Sequence, residues 1–175
     1  MVVIDYFDDL ELKACRRINS LSRWKLVRGF FAGVSRLGDY PAWVGFGLVC
    51  ALQQGSEAPV FVVQTLITAA IGIFAYKLLK QRLVRERPYI RHSGHIECGT
   101  APLDRYSFPS GHTLHATSLA ILYGSYEPAM LVVLVPFALL VAASRVILGL
   151  HYPSDVLAGA ALGAAIATTS ISIVG

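Results

Sequence analysis

Between positions 80 and 155 the sequence spaces out a set of side chains suited to handling phosphate: Lys80 and Arg87, then Ser110, Gly111 and His112, then Arg145, His151 and Asp155. A guanidinium can hold two phosphate oxygens in fork geometry, and an ammonium adds a compact point charge. Pro109-Ser110-Gly111-His112 stands where a polar loop gives way to an apolar run. It therefore reads as a helix start, where free backbone N–H groups and the positive dipole end face an anion and glycine lets the backbone come close. Asp155 follows His151 by one helical turn, so its carboxylate can fix the imidazole tautomer and leave the other ring nitrogen as a lone pair for phosphorus. His112, across the cradle, is placed to protonate a leaving oxygen and afterwards to activate water. The expected roles are His151 as nucleophile, His112 as acid–base group and Asp155 as orienting carboxylate. Lys80, Arg87, Ser110, Gly111 and Arg145 are expected to bind the phosphate, and no metal or other cofactor is expected.

These residues can meet only if the elements carrying them converge. The chain has 175 residues, 55% of them hydrophobic and 15% charged, with a mean hydropathy of +0.58. That leaves too little polar surface for a water-soluble domain, and an all-helical, multi-pass membrane bundle is the fold class implied. Uncharged runs at Ala58–Tyr76, Pro128–Ser144 and Val156–Gly175 approach the roughly 20 residues of a bilayer-crossing helix. Tyr40–Ser56 and Thr113–Tyr126 are shorter, and with them the count is five crossings. The second is expected to end at Pro88. With five crossings, the end of the second helix, the start of the third, the end of the fourth and the start of the fifth share one membrane face.

Residues 1–38 form a separate segment, and 40–175 the membrane catalytic bundle, within one domain. Ile4, Phe7, Ala14, Ile18 and Leu21, then Trp24, Val27, Phe31 and Val34, recur at near-helical spacing opposite charged residues. Two amphipathic helices along the membrane interface are predicted, with Arg16, Arg17, Arg23, Lys25 and Arg28 near the headgroups. The charged N-terminus does not read as a cleavable signal peptide. Cys15, Cys50 and Cys98 lack metal-ligand spacing, and His92 with His95 has no third ligand, so a zinc site is not indicated. His115 reads as a buried, hydrogen-bonded residue. In the polar loop, Arg91, Glu97, Asp104 and Arg105 are expected to cap the cleft and read a headgroup. A formal charge of +4 without exposed interleaved aromatics points to a membrane surface or a phosphorylated ligand, not to nucleic acid.

Lys80-Gln81-Arg82-Leu83-Val84-Arg85-Glu86-Arg87-Pro88, Pro109-Ser110-Gly111-His112, and the run from Ser144-Arg145 to His151-Tyr152-Pro153-Ser154-Asp155 resemble the three signature motifs of the type 2 phosphatidic acid phosphatase family, which also includes vanadium haloperoxidases. The likeness covers roughly residues 60–170. It implies a metal-independent phosphatase with a phosphohistidine intermediate acting on a lipid phosphate or diphosphate in a bilayer, such as undecaprenyl diphosphate, phosphatidylglycerophosphate or phosphatidate. A lipid phosphotransferase, or a non-catalytic phospholipid-binding protein, would share much of the pattern. The resemblance also implies a bacterial inner membrane and an extracytoplasmic active site. The distribution of Lys and Arg pulls the other way, because all fifteen fall in residues 1–36 or on the catalytic face.

Overall fold

The structure, a computed structural model, describes residues 2–101 and 104–174, with side chains from Leu10 onward. Its helices are α1 (Val2–Asn19), α2 (Lys25–Leu37), α3 (Pro41–Gln53), α4 (Ala58–Leu83), the single turn α5 (Pro88–Arg91), α6 (Gly111–Tyr126), α7 (Leu131–Ile147) and α8 (Pro153–Val174), with short 3-10 turns between some of them. Among the described residues no strand forms, and only Glu86 and Tyr106 make an isolated antiparallel bridge. Proline opens α3, α5 and α8, where a first-turn N–H has no intrahelical partner to lose.

The protein is an all-helical membrane bundle. Gly55–Leu83, Pro128–Ile147 and Pro153–Val174 have the length and hydropathy of a crossing, and they contain the three long runs expected, apart from Gly175, which lies outside the described residues. Their outward side chains are apolar: Leu66, Phe74, Val132 and Leu157 are each more than 60% exposed, a surface that suits hydrocarbon and not water. The two marginal segments form shorter helices. At 1.5 Å per residue α3 is about 20 Å long and α6 about 24 Å, both below the roughly 30 Å of a hydrocarbon core. Burial accounts for the mixed composition of α6, because Leu114, Ala116, Leu119, Ala120 and Leu122 face α4, α7 and α8 instead of lipid.

The tightest seam is between α6 and α8. Asp155, Gly159, Gly163 and Ala167 form the buried stripe of α8, one residue per turn. A Cβ on Gly163 would collide with the carbonyl oxygen of Leu114, and one on Gly159 would crowd that of Ser110. Small residues at this spacing let two backbones approach, which is the main source of attraction between helices that hydrocarbon surrounds on both sides. Several polar groups at membrane depth are paired: Gln64 donates to the Ser170 carbonyl at 3.0 Å, Thr68 to Ser170 Oγ at 2.9 Å, and Tyr126 to Gln64 Oε1 at 2.5 Å, whereas Thr65 Oγ1 and Trp43 Nε1 are buried without a hydrogen-bond partner.

The N-terminal helices form near the predicted bounds, but their faces differ from the simple pattern. Val34 is buried and Val27 and Phe31 are half-buried on the side of α2 toward α7, whereas Trp24 turns outward. About a quarter turn away, Leu26, Phe30 and Leu37 make a second apolar stripe that is exposed. The side chains of Ile4 and Phe7 lie outside the described ones. Helix α1 packs Leu12, Cys15 and Ile18 against Ile96, Val146 and Tyr152, and its last residue adds polar contacts: Asn19 donates to the Ile147 carbonyl at 2.9 Å and the Glu97 carbonyl at 3.0 Å, and accepts from the Glu97 N–H at 2.9 Å.

Helix α4 ends at Leu83, short of the expected stop at Pro88. The reason is the bridge at Glu86, with the Ser107 N–H donating to the Arg85 carbonyl at 2.7 Å. Extended backbone alternates its side chains, so Arg85 and Arg87 share one face and Glu86 the other, where it pairs with exposed Arg105.

Candidate active site

Lys80, Arg87, Gly111, His112, Arg145 and His151 line one cavity of about 510 Å³. It lies where the end of α4, the start of α6, the end of α7 and the start of α8 meet, so the four helix ends converge as the crossing count requires. The turn after α7 carries His151 inward. Gly149 sits there at φ +73°, and a Cβ would run into the Glu97 carbonyl, Ile96 and Asn19. Only glycine fits that conformation and that space. The N–H groups of Leu150 and His151 then close back on the Arg145 carbonyl at 3.0 and 3.1 Å.

The cations are nearly dry. Arg87 is 2% exposed; its Nε donates to the Asp104 carbonyl at 2.8 Å, one terminal nitrogen to Asp104 Oδ1 at 2.8 Å, and the other to the Leu150 carbonyl at 2.9 Å. Lys80 donates to both oxygens of the same Asp104 carboxylate, at 2.9 and 2.7 Å. Although partial burial alone would raise the Asp104 carboxyl, the Lys80 hydrogen bond and the charges of Lys80 and Arg87 hold it below its ordinary value. Arg145 donates to Ser35 Oγ, and its Nε is buried with no hydrogen-bond partner. One carboxylate therefore serves two of these cations and leaves the third incompletely satisfied.

His151 is 1% exposed, and Nε2 lies 3.1 Å from a terminal nitrogen of Arg87. Full burial, together with Arg145, Arg87 and Lys80 nearby, holds the ring well below the ordinary histidine range, so it is neutral. The expected link to Asp155 is looser than a hydrogen bond: Nδ1 and Oδ2 are 3.5 Å apart, and Nδ1 has no hydrogen-bond partner. Asp155 is already occupied, since Oδ2 accepts the Tyr152 N–H at 2.8 Å and Oδ1 accepts from Arg85 at 2.7 Å. Ser110 also differs from expectation. Its hydroxyl is fully buried and caps α6, accepting from the Thr113 N–H at 3.4 Å and lying 2.9 Å from the Thr113 hydroxyl, while Gly111 and His112 line the cavity. His115 lines the cavity as a half-buried ring edge-on to Tyr76 at 5.9 Å.

The family profile described as the PAP2 superfamily matches residues 61–175. The chain belongs to the PAP2 superfamily. It is similar to the decaprenylphosphoryl-5-phosphoribose phosphatase of Mycobacterium tuberculosis, 35% identical over 148 residues that cover 82% of this chain and 78% of the relative. Among solved structures it resembles Aquifex aeolicus LpxE, with a TM-score of 0.76, 25% identity, and coverage of 93% of this chain and 95% of the other. It shares its fold with the transmembrane PAP2-type phosphatidylglycerolphosphate phosphatase of Bacillus subtilis, with a TM-score of 0.71, 22% identity, and coverage of 99% and 87%. The protein is an enzyme, a lipid phosphatase of the PAP2 superfamily embedded in a membrane.

Five side chains outside the expected catalytic and phosphate-binding set hold this PAP2 site together. Asp104 lines the cavity and pairs with both Lys80 and Arg87 although its side chain is 39% exposed, and its loop neighbours Arg91, Glu97 and Arg105 are exposed too. Ser35 reaches Arg145, and Asp39 reaches His112. Arg85 joins Asp155 to Glu11 of α1 at 2.6 Å, and the same Glu11 carboxylate accepts the Ser154 N–H at 2.7 Å. The signal for Arg85 is present in Arg-Glu-Arg before Pro88: a residue preceding proline favours extended backbone, which puts both arginines on one face. Glu11, Ser35 and Asp39 carry no comparable signal, because on a surface helix or in a turn such residues are ordinary.

The Arg85–Asp155 pair is testable by stability. Asp155 is fully buried, so Arg85→Gln strands its charge and should cost about 3–5 kcal/mol. The loss should shrink in an Asp155→Asn background. Equilibrium unfolding of both single variants and the double variant in detergent measures the coupling, and losses that add within about 0.5 kcal/mol would show none.

Proposed function

We propose that the protein hydrolyses a lipid phosphate or diphosphate through a phosphohistidine at His151, without a metal ion. The observation that carries this reading is the neutral, buried His151 ring with Nε2 at the cationic end of the cavity, 3.1 Å from Arg87. A terminal phosphate entering the cavity exchanges with the Asp104 carboxylate on Lys80 and Arg87 and gives the Arg145 guanidinium its missing partner. These side chains supply the charge stabilisation that metal ions provide in other phosphoryl-transfer sites. The Gly111 backbone at the start of α6 adds donors, and Ser110 contributes by capping that helix start.

In the first half-reaction His151 Nε2 attacks phosphorus, the bond to the lipid oxygen breaks, and His112 delivers a proton to that oxygen. In the second, water gives a proton to His112 and its oxygen attacks phosphorus, so that the P–N bond breaks and inorganic phosphate leaves. The Nδ1 proton of His151 stays on the side of Asp155 throughout. The looser 3.5 Å contact assigns Asp155 a mainly electrostatic part, stabilising the ring as it becomes positive.

The substrate class follows from where the cavity sits and from what is similar to the chain. A polar pocket at the end of a bundle with apolar outer faces admits a headgroup while the tail stays in the bilayer. The M. tuberculosis relative is named for a prenyl-linked phosphate. We therefore assign an isoprenoid phosphate or diphosphate as the preferred substrate, with glycerolipid phosphates next. Five crossings, with α3 and α6 joining the three long helices, place α1 and the catalytic loop on the same side. There α1 and α2 lie along the interface, with Leu26, Phe30 and Leu37 in the headgroup–acyl boundary. We assign that side as extracytoplasmic in a bacterial inner membrane. The opposing count of basic residues is weakened because Lys80, Arg85 and Arg87 are held in ion pairs within the site.

Phosphate release from a panel of prenyl and glycerolipid phosphates in detergent tests the chemistry. Activity should persist with EDTA, fall with vanadate and vanish in His151→Ala, whereas dependence on added divalent metal would contradict the mechanism. Sidedness is read by an impermeant thiol reagent on intact cells, using exposed Cys98 because Cys15 is 1% exposed. Modification of Cys98 is expected; protection in cells with reactivity in detergent would place the site in the cytoplasm.

A further inference from the structure

Asp39 lies in the turn between α2 and α3, outside the segment that matches the superfamily profile, and yet it lines the catalytic cavity. Its Oδ1 meets Nε2 of His112, a residue 73 positions further along the chain. The backbone that presents it is fixed on both sides. Gly38 packs so closely on α7 that a Cβ would run into Val141, its N–H bonds the Val34 carbonyl at 2.9 Å, and Pro41 opens α3 just beyond. The same stretch sends Ser35 to Arg145, so the end of α2 and the following turn hold two site residues together. The hydrogen bond with His112 holds the Asp39 carboxyl below the usual carboxylate range, so it is ionised at neutral pH.

We infer that Asp39 is a positioning residue for catalysis: the carboxylate that fixes the tautomer and orientation of His112 and balances the charge on that ring when it is protonated. This rests on the reading of His112 as the acid–base group. A carboxylate at Nε2 requires the proton there, which leaves Nδ1 to exchange protons with the reacting oxygens. In its acid form His112 is an imidazolium that loses the Nδ1 proton to the lipid oxygen as the P–O bond breaks and regains one from water as the P–N bond to His151 breaks. Arg87 and Arg145 line the same cavity and oppose a positive ring, so the proton needs a counter-charge of its own. Asp39 supplies it, and the acid–base function of the motif residue thereby depends on the N-terminal segment.

A structural role and a positioning role separate by leaving group. An alkyl phosphate needs its leaving oxygen protonated, whereas a nitrophenyl phosphate carrying an alkyl chain of the same length does not. Asp39→Asn should lower kcat/KM for the alkyl phosphate about 100-fold, the lower end of what general acid–base catalysis contributes, and that for the nitrophenyl phosphate less than about 3-fold. The ratio of the two is read within each variant, so any loss of folded protein cancels. His112→Asn is the control and should show the same dependence on leaving group. If His112→Asn shows it and Asp39→Asn does not, Asp39 has no such role. If His112→Asn reduces both substrates alike, the acid–base reading beneath the inference is wrong.

Discussion

The repulsion among Lys80, Arg87 and Arg145 organises the rest of the molecule. Each would cost on the order of 3 kcal/mol if carried alone into the bilayer core, and bringing them together adds mutual repulsion that a low-dielectric pocket does not screen. The cluster sits at a helix-end face, where the Asp104 carboxylate pairs with two of its members and cancels one of their charges. The residual imbalance is expressed in the unpartnered Arg145 Nε, and the proposed doubly charged tetrahedral anion would relieve it. In the proposed function, substrate affinity is this incompletely satisfied charge.

The same electrostatics set the state of His151, the proposed nucleophile. A buried imidazole surrounded by cations stays neutral, and a neutral ring is the form that can attack phosphorus. Around it the chain builds support in layers. Arg85 and the Tyr152 N–H hold Asp155, Glu11 holds Arg85 and Ser154, and Asn19 holds the start of the turn at Ile147. The tight α6–α8 seam, made possible by Gly159 and Gly163, keeps the helix start at residues 110–112 in register with the turn at 151. A catalytic geometry assembled from four helix ends is rigid because those ends are tied to one another, not because any single loop is stiff.

Much of this was legible in the sequence because the relevant signals are strong where a bilayer imposes them. Long uncharged runs specify α4, α7 and α8, and ionisable residues within or beside them mark the site. The signal weakens wherever protein replaces lipid as the environment. Helix α6 is short and carries His112 and His115 because its neighbours shield it, so its composition resembles a soluble core. Partner choice was less visible still: a carboxylate at Asp155 was expected to serve His151, but Tyr152 and Arg85 claim its oxygens, and the hydroxyl of Ser110 is spent on the helix cap. The anionic partners Asp39 and Glu11 look like ordinary surface residues in the sequence, and Asp104 reads there as a cleft cap; only the fold shows which cation or histidine each one faces.

The most direct test of this account is a high-resolution structure of the protein with orthovanadate, which mimics phosphoryl in transfer. Vanadium is expected within covalent reach of His151 Nε2, with its oxygens on Lys80, Arg87 and Arg145 and the Asp104 carboxylate displaced from the two cations it holds in the free protein. Vanadate bound elsewhere, or seated while Asp104 keeps its contacts to Lys80 and Arg87, would contradict it.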